Sequence, residues 1–335
     1  MPTLKNLDTF PQMLKGFRET VLLALAVRLD LATAIDLGIS DAAGLARHCR
    51  VSPRALALCL NALCAIGFLE KSGKRYRNSP AARRLLSAKS PHCIRPALRH
   101  ALDSTMDWAT LPQTVKAGKV ARPQPSLRKS DSTDAFIRAM DHHARGSAPA
   151  VAAACPIPGA RTLLDLGGGP GTFALEFTRR NPGLKATVFD LPQTLRVTRK
   201  ILKERGMARA PIRLVRGDFL RDPLGGPYDV VLASNILHML SESECLALLR
   251  KSFRALNPGG RIIIYDFLLD KSRVTPVESA LFAVHMLVHT IGGRTYSGEE
   301  FRDMLRQAGC RSVKIIRHAS QAPGLVIGTK PRINK

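Results

Sequence analysis

The stretch of sequence that decides the fold of this chain is Arg161-Thr-Leu-Leu-Asp-Leu-Gly-Gly-Gly-Pro-Gly-Thr-Phe-Ala174. An apolar run stops at three consecutive glycines, and a fourth glycine, Gly171, opens a segment that continues to Phe177. This pattern predicts a strand, a tight turn and the start of a helix, because the turn needs backbone angles that a β-carbon resists. The unpaired N–H groups at the start of that helix would face a ligand.

The glycine turn leaves two ligands open, because nucleotide-like molecules in general bind at such turns in doubly wound sheets. The segment from Gly169 to Ala174 fits the dinucleotide pattern G-x-G-x-x-A. The glycines begin two residues earlier, however, and Asp165 lies just inside the end of the strand. Asp-x-Gly-x-Gly-x-Gly is typical of S-adenosylmethionine (SAM) methyltransferases, so the turn by itself indicates either a dinucleotide or SAM.

Downstream of the turn, apolar runs alternate with helical segments. The predicted strands are 185–190, 212–219, 228–235 and 257–266, and the segments 312–316 and 324–328 would close the sheet as an antiparallel pair. Such alternation predicts an α/β fold with a mainly parallel, doubly wound sheet.

Acidic residues stand at the ends of three predicted strands, where the ligand of such a sheet is expected. Asp190 falls near the position that binds ribose hydroxyls, which serves a dinucleotide and SAM equally. Asp218 follows Gly217 and is placed to accept a hydrogen bond from an adenine amino group. Asp165 either anchors the N–H groups of the turn or faces a cationic methionyl amine.

A histidine lies just beyond the fourth predicted strand. His238 suits a general base, because imidazole in general titrates close to neutral pH. Asp266, at the end of the neighbouring strand, would bind the other ring nitrogen and fix the tautomer.

The N-terminal third predicts a small helical domain with a hairpin. Residues 11–36 carry apolar residues at helical spacing, and Ser40 and Ser52 are natural N-caps of two further helices, with Pro53 in a first turn. A hairpin turning at Ser72 and Gly73 would follow, which makes a winged helix. The wing is basic, but the second helix is mostly Ala, Leu and Cys and offers few side chains to read bases. We therefore favour packing against a second subunit or the catalytic domain over DNA binding.

The whole chain has the size of two domains and an unusual charge. Its 335 residues contain 51 Lys and Arg against 26 Asp and Glu, a net charge of +25 that favours anionic partners. The basic residues are spread along the chain, which favours a solvated basic surface. Seven scattered cysteines without a C-x-x-C motif indicate a reducing compartment and no metal site. With no signal peptide and no membrane span in the sequence, we expect a cytoplasmic protein.

The motifs together resemble those of the two-domain SAM-dependent O-methyltransferases, a family with plant caffeate, flavonoid and acetylserotonin enzymes and bacterial natural-product and pigment enzymes. The resemblance spans nearly the full length and is densest in 132–310. It rests on 165–171, 189–192, 217–219, 236–238 and Gly292-Gly293-Arg294, which have the family's order and spacing. This combination decides against a dehydrogenase.

The resemblance implies a fold, a cofactor and roles for particular residues. It implies a winged-helix dimerisation domain (1–100) that forms a homodimer, a helical linker that contributes to the active site (101–155) and a SAM-binding catalytic domain (156–335). The residues implied to bind SAM are Asp165, Gly167, Gly169, Asp190, Leu191, Gly217, Asp218, Phe219 and Ser234. The catalytic pair would be His238 and Asp266, and the acceptor would contact Phe136, Met140, His143, Phe282, Met286, His289 and Thr290. Phe136, Met140 and His143 share one face of a predicted helix that begins at Ser132, after a loop near 112–126.

Three departures from the family pattern keep alternatives open. His238 is followed by Met239-Leu240 instead of Asp-Trp, Thr295 stands where a second acid is expected, and Ser234 replaces a frequent basic residue. His285 and His289 lie at i, i+4 on a predicted helix and offer a second candidate base. The expected reaction is methylation of a phenolic hydroxyl on a flat, apolar small molecule. The alternatives are C- or N-methylation of a small molecule or pigment precursor, a nucleic-acid-directed methyltransferase, or a ligand-sensing winged-helix regulator.

Overall fold

The computed structural model describes residues 10–118, 120, 130–316 and 323–332. The chain divides into two compact units, residues 1–106 and 107–335. Of the helices in the described ranges, none combines the length and the apolar character needed to cross a bilayer.

The first unit is a helical domain with one hairpin. Its elements are α1 (Phe10–Arg28), α2 (Leu31–Asp36), α3 (Ala42–Cys49), α4 (Pro53–Ala65), β1 (Leu69–Ser72), β2 (Arg75–Asn78), α5 (Pro80–Leu86) and most of α6 (Arg95–Trp108). The hairpin pairs Ser72 with Arg75 at its turn, as predicted. Leu31, Leu45, Leu60 and Leu63 are completely buried and form the centre of the core of this unit.

Two details of the helix prediction were wrong. The helix expected over 11–36 is broken at Asp30, whose left-handed backbone (φ 53°) separates α1 from α2 and turns Leu31 into the core. The N-cap of α3 is Asp41 and not Ser40, since the Asp41 carboxylate accepts a hydrogen bond from the Gly44 N–H at 2.8 Å. A carboxylate is favoured there by the partial positive charge of the helix N-terminus. Ser52 caps α4 as predicted.

The second unit is built on a seven-stranded sheet with the order β10-β11-β7-β6-β3-β4-β5. Its strands are β3 (Thr162–Leu166), β4 (Lys185–Asp190), β5 (Ile212–Arg216), β6 (Tyr228–Ser234), β7 (Leu256–Asp266), β10 (Ser312–Ile316) and β11 (Gly324–Thr329). β3 to β7 are parallel, and β11 joins β7 and β10 antiparallel, as the sequence predicts. A short parallel pair, β8 (Leu268–Leu269) with β9 (Tyr296–Ser297), lies outside this sheet.

Helices cover both faces of the sheet. The helices of this unit are α7 (Leu111–Ala117), α8 (Ser130–Ala154), α9 (Thr172–Arg180), α10 (Pro192–Glu204), α11 (Glu242–Arg254), α12 (Val277–His289) and α13 (Gly298–Gln307). One core contains side chains of α8, α9 and α10, and the other contains side chains of α11 and α13. Strand β3 lies inside the sheet with β4 on one side and β6 on the other, so the connections reverse direction at its carboxyl end. A ligand-binding crevice is expected at that point.

The loop predicted near 112–126 is helical in its first part. Pro112 lies in the first turn of α7, where its missing N–H has no intrahelical partner to lose. Residue 119 and residues 121–126 of that loop lie outside the described residues.

Candidate active site

The glycine turn after β3 requires glycine for steric reasons. Gly167 and Gly169 have left-handed backbones (φ 62° and 51°). A β-carbon on Gly168 would lie 2.6 Å from the Asp165 carboxyl carbon, and one on Gly167 would lie 2.9 Å from a methyl carbon of Ile236. The backbone of the turn is held by Gly167 N–H, which donates to the Phe189 carbonyl at 2.8 Å.

Asp165 lies beneath this turn, completely buried. Its Oδ2 accepts a hydrogen bond from Ala174 N–H at 3.2 Å, so the carboxylate anchors the first turn of α9. Its Oδ1 has no partner within the described part of the chain. Burial raises the pKa of Asp165 to about 7, with a further contribution from the nearby Asp190 charge. A cationic ligand at the turn would reduce the cost of ionising this group.

Asp190 joins the end of β4 to the same turn. Its two carboxylate oxygens accept from Gly169 N–H (2.9 Å) and Leu191 N–H (2.6 Å), and burial raises its pKa. The Gly217 N–H donates to the Asp190 carbonyl at 3.0 Å, which brings the end of β5 to this position.

The segment after β5 completes this side of the crevice. The ring of Phe219 would lie 3.3 Å from a β-carbon on Gly167, so it closes over the turn. Asp218 is half-buried, and its Oδ1 accepts from Leu220 N–H at 2.9 Å. The strand predicted over 212–219 ends at Arg216, because Asp218 turns the chain by donating its N–H to Asp222.

These observations fit SAM. A β-carbon on Gly167 or Gly168 would collide with neighbouring side chains, so only glycine fits these positions of the turn. The turn leads into the N-terminus of α9. Two carboxylates with raised pKa values flank it, the fully buried Asp165 and the partly buried Asp190, which suits a cationic ligand with hydroxyl and amino donors. Ser234, buried at the carboxyl end of the adjacent β6, lies next to Tyr265 of β7.

His238 and Asp266 form a buried, hydrogen-bonded pair. His238 lies in a short 3-10 helix (Leu237–Met239) directly after β6, and Asp266 ends β7. The His238 Nδ1 is 2.6 Å from Asp266 Oδ1, and the His238 backbone N–H donates to Oδ2 at 3.2 Å. The carboxylate accepts from Phe267 N–H as well, at 2.8 Å. Since a carboxylate accepts, Nδ1 carries a proton and Nε2 carries the lone pair in the neutral ring.

Two phenylalanines enclose this histidine. The His238 ring stands edge-on to Phe282 with centroids 4.8 Å apart, and Phe267 stacks on Phe282 at 4.0 Å. Phe282 was predicted to be an acceptor contact, whereas Phe267 was not predicted. Its position directly after Asp266, at the end of a strand, is the signal that would have identified it.

The second pair of histidines adjoins the same aromatic rings, since His285 stacks on Phe282, but hydrogen bonds engage both imidazoles. Trp108 Nε1–H donates to Nδ1 of His285 at 3.1 Å, so the proton of a neutral His285 is on Nε2. His289 contacts two groups that only accept, Asp107 Oδ2 at 3.1 Å and the His285 carbonyl at 2.8 Å. These contacts argue against a base role for either ring. Asp107 and Trp108 lie more than 170 residues away in the sequence, and no motif indicates them.

The remaining predicted acceptor contacts lie on α8 and around the end of α12. On α8, Phe136 packs against the cluster formed with α10, Met140 is half-buried and His143 is exposed. Met286 is buried, and its carbonyl accepts from the Thr290 hydroxyl at 2.7 Å.

The Gly292-Gly293 pair brings the end of α12 to the short helix (Leu237–Met239) that carries His238. Thr290 Oγ1 accepts from Gly293 N–H at 2.9 Å, and a β-carbon on Gly293 would lie 2.5 Å from the His238 carbonyl. Thr295, which stands where a second acid is expected, is buried and donates to the Ser279 carbonyl at 3.0 Å.

Known families and proteins resemble the chain over nearly all its length. An O-methyltransferase domain matches residues 124–311, and an O-methyltransferase dimerisation domain matches residues 12–88. The 3-hydroxy-5-methyl-1-naphthoate 3-O-methyltransferase of Streptomyces sahachiroi is 32% identical, over 94% of this chain and 93% of its own length. The tetracenomycin polyketide synthesis 8-O-methyl transferase TcmO of Streptomyces glaucescens is 31% identical, over 96% of both chains. The solved structure of PigF with SAH has a TM-score of 0.85 and 25% identity, and covers 97% of this chain and 100% of its own.

The two matched domains correspond to parts of the structure already described. The dimerisation domain lies within the first unit, and the O-methyltransferase domain includes the glycine turn, His238 and Asp266. The chain therefore belongs to the family of SAM-dependent O-methyltransferases and is an enzyme that uses SAM as its cofactor.

Proposed function

We propose that this enzyme methylates a phenolic hydroxyl of a small, flat and largely apolar acceptor, with His238 as the general base. The observation that carries the proposal is the 2.6 Å contact between His238 Nδ1 and Asp266 Oδ1, beside the stacked rings of Phe267 and Phe282. SAM supplies a methyl group already activated by its sulfonium charge. The chain has to hold the acceptor in line and remove its proton.

The proton is removed at Nε2 of His238. A phenol has a pKa near 10, so at neutral pH its oxygen needs a base as it becomes a nucleophile. Asp266 keeps Nδ1 protonated, which leaves the lone pair on Nε2, and its charge stabilises the imidazolium that forms. Two backbone N–H groups, those of His238 and Phe267, hold the carboxylate in place.

The residues that bind SAM in this proposal are those assembled at the glycine turn. Asp190 and Asp218 would accept from its hydroxyl and amino groups, Phe219 would cover the adenine, and the N-terminal turn of α9 would lie beside it. Asp165 supports that turn from below.

The acceptor would lie against the stacked rings of Phe267 and Phe282, with Met140 and Met286 as adaptable apolar contacts. In this proposal the helical segment 101–155 provides one wall of the pocket through α8, and Thr290 lies at the end of another. The known relatives act on a hydroxynaphthoate and on a polyketide, which supports fused aromatic phenols as the first acceptors to try.

Two variants test the base. We expect His238→Ala and His238→Gln to lower kcat by about 10²- to 10⁴-fold on a hydroxynaphthoate acceptor, because a positioned base contributes about that much. The SAM dissociation constant, measured by calorimetry, should stay unchanged. Met239→Leu, at the exposed neighbouring residue, is the matched control and should keep wild-type activity. Full activity of His238→Gln would remove the base assignment, and an N- or C-methylated product in mass spectrometry would remove the phenolic one.

A further inference from the structure

We propose that Asp141 is a positioning residue that couples the glycine turn of the cofactor site to helix α8. Among the residues that the structure describes, Asp141 is one of three buried carboxylates, with 4% of its surface exposed, and its hydrogen bonds go to Thr172, Arg205 and Arg145. Its Oδ1 accepts from the Thr172 hydroxyl at 2.5 Å and from Arg205 Nη1 at 3.2 Å. Its Oδ2 accepts from Arg145 Nη2 at 2.5 Å.

Thr172 connects this carboxylate directly to the cofactor turn. It is the first residue of α9 and follows Gly171, whose backbone is left-handed (φ 76°). Its backbone therefore belongs to the first helical turn, where N–H groups lack intrahelical partners, while its buried side chain bonds to α8. A shift of this turn on ligand binding must move or strain the short bond to Asp141.

Arg205 makes the link specific for a carboxylate. It caps the C-terminus of α10, and burial lowers its pKa. A partly buried guanidinium needs a charged partner, and Asp141 provides it within 3.2 Å. Three helices, α8, α9 and α10, thus meet at one carboxylate beside the turn.

The consequence concerns the acceptor side of the pocket. Asp141 follows Met140 in α8 and lies two residues before His143. If, as proposed above, α8 contacts the acceptor, binding of SAM orders the surface that receives it. This link to the acceptor rests on the proposed function, whereas the coupling between the turn and α8 does not.

Hydrogen–deuterium exchange with S-adenosylhomocysteine (SAH) tests the coupling without any acceptor. In the wild-type enzyme, SAH should slow exchange both at 167–177 and in α8 peptides covering 133–150. Thr172→Val, which keeps the shape but removes the donor, should keep the protection at 167–177. In this variant the factor by which SAH slows exchange in the α8 peptides should fall at least five-fold, and the SAH dissociation constant should rise about three- to ten-fold. Thr172→Ser restores the donor and should restore both.

A matched control weakens another link between α8 and the end of α10. Arg138 makes two 2.8 Å hydrogen bonds to the exposed carboxylate of Glu204. Glu204→Gln should leave the SAH-dependent protection of α8 intact. The proposal is overturned if SAH never protects α8, if Thr172→Val retains the protection, or if Glu204→Gln removes it equally. Since SAH is the only ligand, these outcomes are independent of whether His238 acts as a base or the acceptor is a phenol.

Discussion

At the scale of single residues, the hydrogen bonds around His238 decide which ring nitrogen carries the proton. Asp266→Asn tests this, because an amide can present an N–H to Nδ1 and move the ring proton to Nε2. That tautomer has no lone pair directed at the acceptor. We expect kcat to fall by about 10²- to 10⁴-fold, with the SAM dissociation constant within about two-fold of wild type. Steady-state kinetics and calorimetry on the same preparation measure both. A fall in SAM affinity that matches the fall in kcat would instead indicate a collapsed site.

Asp165 predicts a pH dependence of stability. Burial raises its pKa from 3.8 to about 7, so between these values the folded chain holds a proton that the unfolded chain has lost. Its contribution to stability is complete below about pH 4, falls as the pH rises through 7, and is constant above. Three pKa units correspond to a loss on the order of 4 kcal/mol.

Asp165→Asn removes this titration and keeps an oxygen to accept from Ala174 N–H. In urea unfolding without cofactor, we expect its stability relative to wild type to increase from pH 5 to pH 7 and then to level off. Stability curves of the two proteins that run parallel across this range would show that Asp165 is ionised in the folded state throughout.

At the scale of elements, the glycines differ in what surrounds them. A β-carbon on Gly217 would lie 2.3 Å from the ring of Phe189, which is almost fully buried and has little room to move. Gly146, in the exposed middle of α8, has no such neighbour within 4 Å. We expect Gly217→Ala to lower the free energy of unfolding by about 1–3 kcal/mol and to weaken SAH binding. Gly146→Ala should raise it by roughly 0.5–1 kcal/mol, since alanine is the better helix former. Urea unfolding of both variants tests the pair, and equal effects would contradict the steric argument.

The elements themselves were largely predictable from local sequence. Apolar runs bounded by glycine and proline gave the strands of the sheet, and the turns at Gly167 and Ser72 were read correctly, because both depend on neighbouring residues. The break at Asp30 was missed because it depends on how Leu31 packs into the core. The Asp41 cap was missed because Ser40 and Asp41 are neighbouring candidates, and only the structure shows which one accepts from Gly44 N–H. The position of His238 and Asp266 at the ends of neighbouring predicted strands indicated the pair, and the resemblance to the family implied the same two residues. The hydrogen bonds of Trp108 and Asp107 to histidines of α12 join distant segments, as does the bond between Thr172 and Asp141. Only the folded chain brings these residues together.

At the scale of the whole molecule, the net charge of +25 opposes dimerisation, because two copies of the chain repel each other, whereas the dimerisation domain favours association. Phe17 and Val21 lie one turn apart on α1 and are exposed, as is Leu58 on α4, so the first unit presents apolar side chains to a partner. We propose that a second copy covers them. The dimer would carry twice the charge of one chain, which favours dissociation at low ionic strength.

Salt therefore distinguishes a dimer from a nucleic-acid complex. Screening of like charges should tighten the dimer as salt rises from about 20 to 150 mM, where the Debye length falls to about 8 Å. Binding to nucleic acid should weaken steeply over the same range, because it releases counterions. We expect light scattering to give twice the chain mass of 36.5 kDa, about 73 kDa, with the dimer fraction increasing with salt. Phe17→Glu should yield monomers, whereas Lys74→Gln, on the exposed hairpin turn, lowers the net charge by the same one unit and is the charge-matched control. A dimer that dissociates as salt rises would mean that ion pairs, and not apolar contacts of the first unit, hold the two copies together.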